Sequence, residues 1–267
     1  MPTSPSLASV RDIFRAMQTE QINGHPLSDV VGGGDPELVA AEVVAAIVKY
    51  AELNPGGDSI LDVGCGCGRI AAALTQYVDS KSHYTGIDIV PGLIDFGRKF
   101  ITPRFPRFKF LLSNESNRTY DAWRPEGGEI GIAKLAEAVA PQSIDLAISI
   151  SLFTHLDFAP AVEMLTSIYH ALKNGGRAFV TVFVLDAEAA SRIEGGRAAF
   201  SFKHRTPTGE LFAEKSDDPT FAVAFDGDLL TKLVRSANLR LERHIRGYWS
   251  TGGPGEIFQD VLILRKA

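Results

Sequence analysis

Residues 59–68, SILDVGCGCG, decide the fold of this 267-residue chain. The first five residues are a short, mostly apolar run of the kind that forms a buried strand, and three glycines follow at alternate positions. Residues 69–78 are rich in alanine and predict a helix. A strand, a glycine turn and a helix in this order indicate a doubly wound α/β sheet that binds a ligand at the turn.

Strand-like and helix-like stretches alternate over residues 35–185, which indicates a mostly parallel sheet. The last two strands are joined by a Gly-Pro-Gly turn and predict an antiparallel hairpin. The predicted fold class is therefore α/β: a doubly wound, seven-stranded, mostly parallel sheet with an antiparallel C-terminal hairpin, helices on both faces and a helical N-terminal cap. The predicted strands are residues 59–63, 83–89, 108–112, 143–151, 177–185, 239–248 and 257–265.

Two helix boundaries are marked in the sequence. Asp35-Pro36-Glu37 supplies an N-cap, a proline at the first helical position and an acid in the first turn, so a helix should run from there to about residue 53. Lys173-Asn174-Gly175-Gly176 predicts a left-handed cap at the end of a later helix.

The predicted domain organisation is an N-terminal segment and cap over residues 1–34, followed by one domain over residues 35–267. Residues 114–142 are polar, rich in Gly and Pro, and hold at most a short helix around residues 132–139, whereas residues 186–225 carry no clear period. Both interrupt that domain as insertions that shape the acceptor site. The second insertion contains five phenylalanines, which favour a small core of its own over a substrate cage.

The charge balance excludes one large class of partners. With 27 Lys and Arg against 32 Asp and Glu, the net charge is −5, so the chain lacks the basic field that binds phosphate backbones, and we do not expect nucleic acid as a partner. The apolar stretches are far shorter than the roughly 20 residues that span a bilayer, and the first residues lack a signal-peptide pattern. We therefore expect a cytoplasmic protein, monomeric or homodimeric, with no membrane partner.

The two cysteines of the chain, Cys65 and Cys67, lie one residue apart within the glycine turn. This spacing excludes a disulfide framework, and without a second Cys or His pair it is poor geometry for zinc. We expect no metal and interpret both cysteines as small turn residues.

The glycine spacing resembles one family in particular. Residues 62–68 match in full the motif Asp/Glu-x-Gly-x-Gly-x-Gly of the class I S-adenosylmethionine-dependent methyltransferases. A dinucleotide fingerprint would need a third glycine three residues after Gly66, where Arg69 stands. Residues 84–88 resemble the family's second motif, residues 145–149 its fourth strand and residues 172–176 the turn before its fifth strand.

The resemblance implies that S-adenosylmethionine is the cofactor and assigns roles to several residues. Asp88 should accept hydrogen bonds from both ribose hydroxyls, and Ile89 should lie against the adenine. Many relatives have an Asp after the third strand that accepts a hydrogen bond from the adenine amino group, and Asn114 stands at that position here, preceded by Ser113. The predicted cofactor-binding residues are Asp62, Gly64, Cys65, Gly66, Gly68, Arg69, Asp88, Ile89, Ser113, Asn114, Ser149 and Ser151.

The resemblance also suggests how the chain acts on an acceptor. A hydroxyl acceptor must lose its proton, and His155 follows the fourth strand within a Phe-Thr-His-Leu stretch that many bacterial members share. Two interpretations of His155 stay open. It is a catalytic base or substrate contact, or it is a structural residue that caps the helix beginning near Asp157 or bonds a backbone carbonyl.

Methyl transfer to a hydroxyl of a small molecule is the predicted function, with sugars and glycans as candidate acceptors. The C-terminal Tyr248-Trp249 and residues 258–261 are similar to uncharacterised bacterial methyltransferases presumed to act on sugars or other small metabolites. N-methylation of a small amine is the first alternative. A nicotinamide-dependent oxidoreductase and a cofactor-binding protein without catalysis are weaker alternatives.

Overall fold

The computed structural model describes residues 7–22, 24–30, 34–114, 135–253 and 255–267. Its helices are α1 (Leu7–Thr19), α2 (Leu27–Val30), α3 (Pro36–Tyr50), α4 (Arg69–Leu74), α5 (Pro91–Phe96), α6 (Leu135–Ala138), α7 (Phe158–Ala171), α8 (Ala187–Glu194) and α9 (Gly227–Ser236). Its strands are β1 (Gln21–Ile22), β2 (His25–Pro26), β3 (Ser59–Val63), β4 (His83–Asp88), β5 (Phe108–Leu112), β6 (Ile144–Ser149), β7 (Leu172–Val182), β8 (Val184–Leu185), β9 (His204–Arg205), β10 (Phe212–Ala213), β11 (Val223–Asp226), β12 (Arg240–Ile245) and β13 (Asp260–Arg265). A π-helical turn, Gly97–Ile101, extends α5, and a 3-10 turn covers Phe153–His155.

The main sheet has seven strands in the spatial order β12-β13-β7-β6-β3-β4-β5. β4 pairs in parallel with both β3 and β5, whereas β13 pairs antiparallel with both β7 and β12. This arrangement confirms the predicted fold class, an α/β protein with a seven-stranded, mostly parallel sheet and an antiparallel C-terminal hairpin at one edge.

By its internal contacts the chain forms two compact units. The first comprises Met1–Ala140 and Ile144–Leu146, and the second comprises Pro141–Ser143 and Ala147–Ala267. The boundary predicted near residue 34 stays a prediction. Most of the insertion predicted at 114–142 lies outside the described residues.

The first unit contains β3, β4 and β5 with the helices that cover them. Asp35 caps α3 as predicted, because its carboxylate accepts hydrogen bonds from the backbone N–H groups of Glu37 (2.9 Å) and Leu38 (3.0 Å). The N-terminal cap is helical: α1 contacts α3 and α4 and buries one apolar face against them. The buried residues of that face are Val10, Ile13, Phe14 and Met17.

The second insertion folds into regular elements that its sequence did not indicate. Residues 186–226 contain α8, β9, β10 and β11, and the three strands join β8 in a small sheet of order β8-β11-β10-β9. Phe202 is buried with Phe183 and Trp249, and Phe200 and Phe212 pack against the same cluster. Three of the five phenylalanines of the insertion thus pack in a core, and that core also contains Phe183 and Trp249 from outside the insertion.

A buried carboxylate connects this cluster to the C-terminal hairpin. Asp260, which is fully buried, accepts hydrogen bonds from the backbone N–H groups of Val184 and Gly247 at 2.8 Å and from the Trp249 indole at 2.7 Å. Three donors on one carboxylate offset the cost of burying its charge.

Some predicted boundaries were wrong. The helix predicted over 69–78 ends at Leu74, because the chain tightens there and Gln76 and Tyr77 donate to carbonyls only three residues back. The predicted cap at 173–176 is instead the start of β7. Gly175 has the expected positive φ of 74°, but its N–H donates to the Lys266 carbonyl and so pairs this stretch with the chain end. None of the described helices is both long and apolar enough to cross a membrane.

Candidate functional site

The glycine turn after β3 is built from left-handed backbone. The φ angles of Gly64, Gly66 and Gly68 are 76°, 56° and 83°, values that residues with a Cβ rarely adopt. The N–H groups of Gly64 and Cys65 both donate to the Ile87 carbonyl, at 2.8 and 3.0 Å. These bonds hold the turn against the end of β4.

Gly68 is required for a second reason. A Cβ at this position would lie 2.7 Å from Ile101 Cδ1 and from Phe110 Cε1, closer than carbon atoms approach. The first turn of α4 therefore packs directly on the π-helical turn and on β5. This explains why a glycine stands immediately before the charged Arg69.

Asp88 lies at the carboxyl end of β4, next to the turn. Its carboxylate accepts the N–H of Gly66 at 2.9 Å and the N–H of Val90 at 3.0 Å. Burial raises the pKa of Asp88, whereas these backbone donors lower it. The backbone N–H of Ile89 also lowers the pKa of this carboxyl. An ionised carboxylate has about four acceptor positions, so beyond its backbone donors it keeps capacity for a ribose hydroxyl.

Asp62 is the most buried acidic group at the turn, with 1% of its surface exposed. Oδ2 accepts a 2.5 Å hydrogen bond from the Tyr84 hydroxyl, whereas Oδ1 has no hydrogen-bond partner among the residues that the structure describes. Burial raises the pKa of Asp62 to about 7, although the bond from Tyr84 opposes this.

The two cysteines point into the protein. The Cys65 sulfur lies where a Cβ on Gly86 would meet it at 2.8 Å, so its side chain packs against β4. Burial raises the pKa of both thiols, that of Cys67 to about 12, and both are therefore unreactive. A contact of Cys65 with a cofactor would have to come from its backbone. Among the described residues, no group of three or more His, Cys, Asp or Glu side chains is placed so that it could hold a metal ion.

The other residues predicted for the cofactor flank this turn in the first unit. Arg69 begins α4 and is half-buried, and its charge lowers the pKa of Asp62. Ile89 is half-buried directly after Asp88. Ser113 donates its N–H to the Asp88 carbonyl at 2.8 Å and is buried, whereas Asn114 is exposed.

In the second unit, Ser149 is the last residue of β6 and Ser151 lies in the loop that follows. Ser149 is fully buried. Ser151 has a φ of 60°, a strained value that surrounding contacts must hold. Its N–H donates to the Thr181 hydroxyl at 2.8 Å, and its hydroxyl donates to the Gln259 side-chain oxygen at 3.1 Å. Thr181 lies in β7 and Gln259 stands immediately before β13, and the sequence reasoning missed both partners.

His155 ends the 3-10 turn and is partly buried. Its Nδ1 lies 2.9 Å from the Thr220 carbonyl oxygen. Because a carbonyl only accepts, Nδ1 carries the proton and Nε2 is the basic nitrogen of the neutral ring. Burial lowers the pKa of His155, which favours the neutral imidazole, although the bond to Thr220 and the charge of Asp218 oppose this.

The interpretation of His155 as a helix cap is wrong. Asp157 caps α7 by accepting the N–H of Phe158 at 2.8 Å. The other structural interpretation, a bond to a backbone carbonyl, is confirmed by the contact with Thr220. That contact occupies Nδ1, and a catalytic role of His155 stays a prediction.

Comparison with known proteins identifies the family. The model of the methyltransferase domain family matches residues 55–237, more than half of the chain. The arsenite methyltransferase of Homo sapiens is 29% identical over 121 residues, which are 45% of this chain and 29% of that protein. The chain thus matches less than a third of the length of this curated relative.

Two solved structures share the fold. One is the 1,6-didemethyltoxoflavin-N1-methyltransferase of Burkholderia thailandensis with bound S-adenosylhomocysteine, with a TM-score of 0.55 and 17% identity over 97% of this chain and 88% of that one. The other is the magnesium protoporphyrin IX methyltransferase of Synechocystis PCC 6803 with bound S-adenosylmethionine, with a TM-score of 0.53 and 14% identity over 96% and 91% of the two chains.

The chain belongs to the methyltransferase domain family, as a class I enzyme domain whose cofactor is S-adenosylmethionine. This confirms the resemblance carried by residues 62–68. The site fits the cofactor in two respects: the Asp88 carboxylate keeps acceptor capacity for a ribose, and Asp62 has a buried oxygen without a partner among the described residues. The contacts of individual residues with the cofactor stay predictions.

Proposed function

We propose that this protein methylates a hydroxyl group of a small molecule, with His155 as the general base. The cofactor supplies an activated methyl group on a sulfonium. The protein must then orient the acceptor, exclude water and remove the hydroxyl proton. His155 Nε2 is the group that we assign to the last task.

The orientation of His155 carries this proposal. The contact with the Thr220 carbonyl favours the tautomer with the proton on Nδ1, and in that tautomer Nε2 is the nitrogen that we assign as the proton acceptor. The lowered pKa keeps the ring neutral at physiological pH, which is the form that a general base needs. The loop after β6 also lies where ligands bind in open α/β sheets, beyond the carboxyl end of a strand.

The charge of the chain and the state of its cysteines narrow the class of acceptor. A net charge of −5 disfavours nucleic acid. Trivalent arsenic binds thiolates, and both cysteines of this chain are buried with raised thiol pKa values, so arsenite is not a favoured acceptor. Small hydroxylated compounds, with sugars and glycans as candidates, remain the proposed substrates, acted on by a monomer or homodimer.

The test uses methyl transfer from labelled S-adenosylmethionine to a panel of sugars, phenols, amines and arsenite, followed by mass spectrometry. For the acceptor found, His155→Ala should lower kcat by roughly 10²- to 10⁴-fold, the usual contribution of a general base. His155→Asn should be equally impaired, because its amide can still donate to Thr220 but does not accept the proton. His170, exposed on α7, offers the matched control, and His170→Ala should retain activity.

The outcomes separate the proposals. Recovery of kcat in His155→Asn would assign His155 a structural role only. An amine as the sole methylated compound would replace the hydroxyl proposal with N-methylation. Tight cofactor binding without transfer to any acceptor would favour a binding protein.

A further inference from the structure

Asp62 and Tyr84 form a buried acid pair below the glycine turn. The Tyr84 hydroxyl donates to Asp62 Oδ2 at 2.5 Å, and each of the two residues is only 1% exposed. They lie on neighbouring parallel strands, where Tyr84 is opposite Ile60 and Asp62 is opposite Gly86. Burial raises the pKa of Tyr84 far above its usual value, so the hydroxyl stays protonated and acts as the donor.

The groups facing Asp62 come from three elements. From β4, Tyr84 donates its hydrogen bond and Asp88 contributes a like charge; from α4, Arg69 contributes an opposite charge. The thiols of Cys65 and Cys67 in the turn are uncharged at neutral pH because burial raises their pKa values. The two nearby ionic charges thus oppose each other, and burial decides the protonation state of Asp62.

A buried carboxylate with one oxygen lacking a partner is costly when ionised. The neutral acid is therefore the stable form of Asp62 at the acidic side of neutrality, which agrees with a pKa of about 7. A cation brought next to this carboxyl favours ionisation instead. S-adenosylmethionine is such a cation.

We propose that cofactor binding is coupled to ionisation of the buried Asp62, so that affinity for S-adenosylmethionine rises with pH, and that Tyr84 is the positioning residue whose hydrogen bond favours the ionised form. This inference rests on the proposed function, since it requires the cofactor at the glycine turn. Tyr84 acts by donating to Oδ2, which stabilises the carboxylate and fixes its orientation, leaving Oδ1 for a donor from the cofactor.

The hydroxyl of Tyr84 can be removed without removing its ring. The ring stacks on Phe108 with centroids 5.0 Å apart at an angle of 14°, and it lies 5.8 Å from the ring of Phe110. Phenylalanine keeps these contacts. Tyr84→Phe therefore tests the hydrogen bond to Asp62 with little change in packing.

The experiment is titration calorimetry of the full chain with S-adenosylmethionine from pH 6 to pH 9, in two buffers of different ionisation enthalpy. With a midpoint near pH 7, the association constant of the wild type should fall about tenfold from pH 8 to pH 6, and about one proton should be released on binding at pH 6. In Tyr84→Phe the midpoint should move upward by about one pH unit, with affinity near that of the wild type restored at pH 9. Asp62→Asn should lose the pH dependence that is due to this group.

The amino group of the cofactor titrates in the same way with the wild type, Tyr84→Phe and Asp62→Asn. Its effect on affinity therefore cancels when the three pH profiles are compared. Equal pH profiles of the wild type and Asp62→Asn would overturn the coupling. A Tyr84→Phe protein that is folded by circular dichroism but equally weakened at every pH would show that Tyr84 has only a structural role, and would overturn its assignment. Absence of binding by the wild type at every pH would overturn the proposed function itself.

Discussion

The hydroxyl of Thr208 donates a 2.9 Å hydrogen bond to the Asp157 carboxylate, the group that also caps α7. Thr206 donates to the same carboxylate at 3.1 Å, and the Thr220 carbonyl accepts from His155. Within the second unit, the insertion at 186–225 is thus bonded to the loop after β6 at two points, one of them the proposed base. Order in the insertion and orientation of His155 are therefore linked.

We predict that Thr208→Val loosens the insertion. Loss of a hydrogen bond to a charged group at this exposed position should lower the local opening free energy by about 1 kcal/mol and speed amide exchange about fivefold. Hydrogen–deuterium exchange of residues 204–213 measures this. Thr208→Ser keeps the hydroxyl and is the matched control, so equal exchange in both variants would show that the bond contributes nothing.

A second prediction concerns the pH dependence of turnover. Because burial lowers the pKa of His155, kcat at saturating cofactor should stay constant down through the ordinary imidazole pKa of about 6.5 and fall only at more acidic pH, where Nε2 becomes protonated. Measuring kcat from pH 5 to pH 8 tests this. The residual kcat of His155→Asn should not fall at acidic pH. If kcat of the variant falls there as in the wild type, another group causes the fall.

The fold and the cofactor turn could be predicted because their signals are local. The positive φ angles of the turn require glycine at positions 64, 66 and 68, which lie within five residues of one another. The alternation of strands and helices can be recognised directly along the chain. The Asp62–Tyr84 pair was also within reach of the sequence. In parallel register, Tyr84 lies opposite Ile60, which is two residues before Asp62 and on the same face of the sheet.

The acceptor side was less predictable because its contacts are distant in sequence. The partner of His155 is 65 residues away, and the partners of Asp157 are 49 and 51 residues away. These partners are a backbone carbonyl and two threonines of a stretch without periodicity, so neither residue type nor spacing marked them. The contact of Gln259 with Ser151 was not predictable for the same reason, because only the pairing of β13 with β7 brings the two residues together.

A third prediction separates backbone strain from packing at the turn. Gly68→Ala combines a positive φ of 83° with a Cβ 2.7 Å from Phe110 and Ile101, whereas Gly175→Ala has a φ of 74° and open space around the new Cβ. Gly175→Ala should cost roughly 1–2 kcal/mol of unfolding free energy, for strain alone. Gly68→Ala should cost roughly 1–3 kcal/mol more, because an aromatic ring must move. Urea unfolding of both variants checks this, and equal losses would contradict the packing argument.

The last prediction follows from the raised pKa of Asp62. The folded state holds this proton up to about pH 7, whereas the unfolded chain releases it near pH 4. Between these values the folded state binds more protons than the unfolded state, so the contribution of Asp62 to stability is greatest below pH 4 and declines as the pH rises to 7. Asp62→Asn removes this decline and should become more stable relative to the wild type with rising pH, by a few kcal/mol at pH 8.

Urea unfolding of the cofactor-free protein at pH 5, 6, 7 and 8 measures the difference between Asp62→Asn and the wild type. Asp95→Asn, at an exposed position on α5, controls for the loss of one negative charge and should show a nearly constant difference. A constant difference in Asp62→Asn as well would mean that Asp62 is ionised across this range in the folded protein. If the stability of Asp62→Asn rises while its affinity for S-adenosylmethionine falls, the acid is retained at a cost in stability because the cofactor site needs its charge.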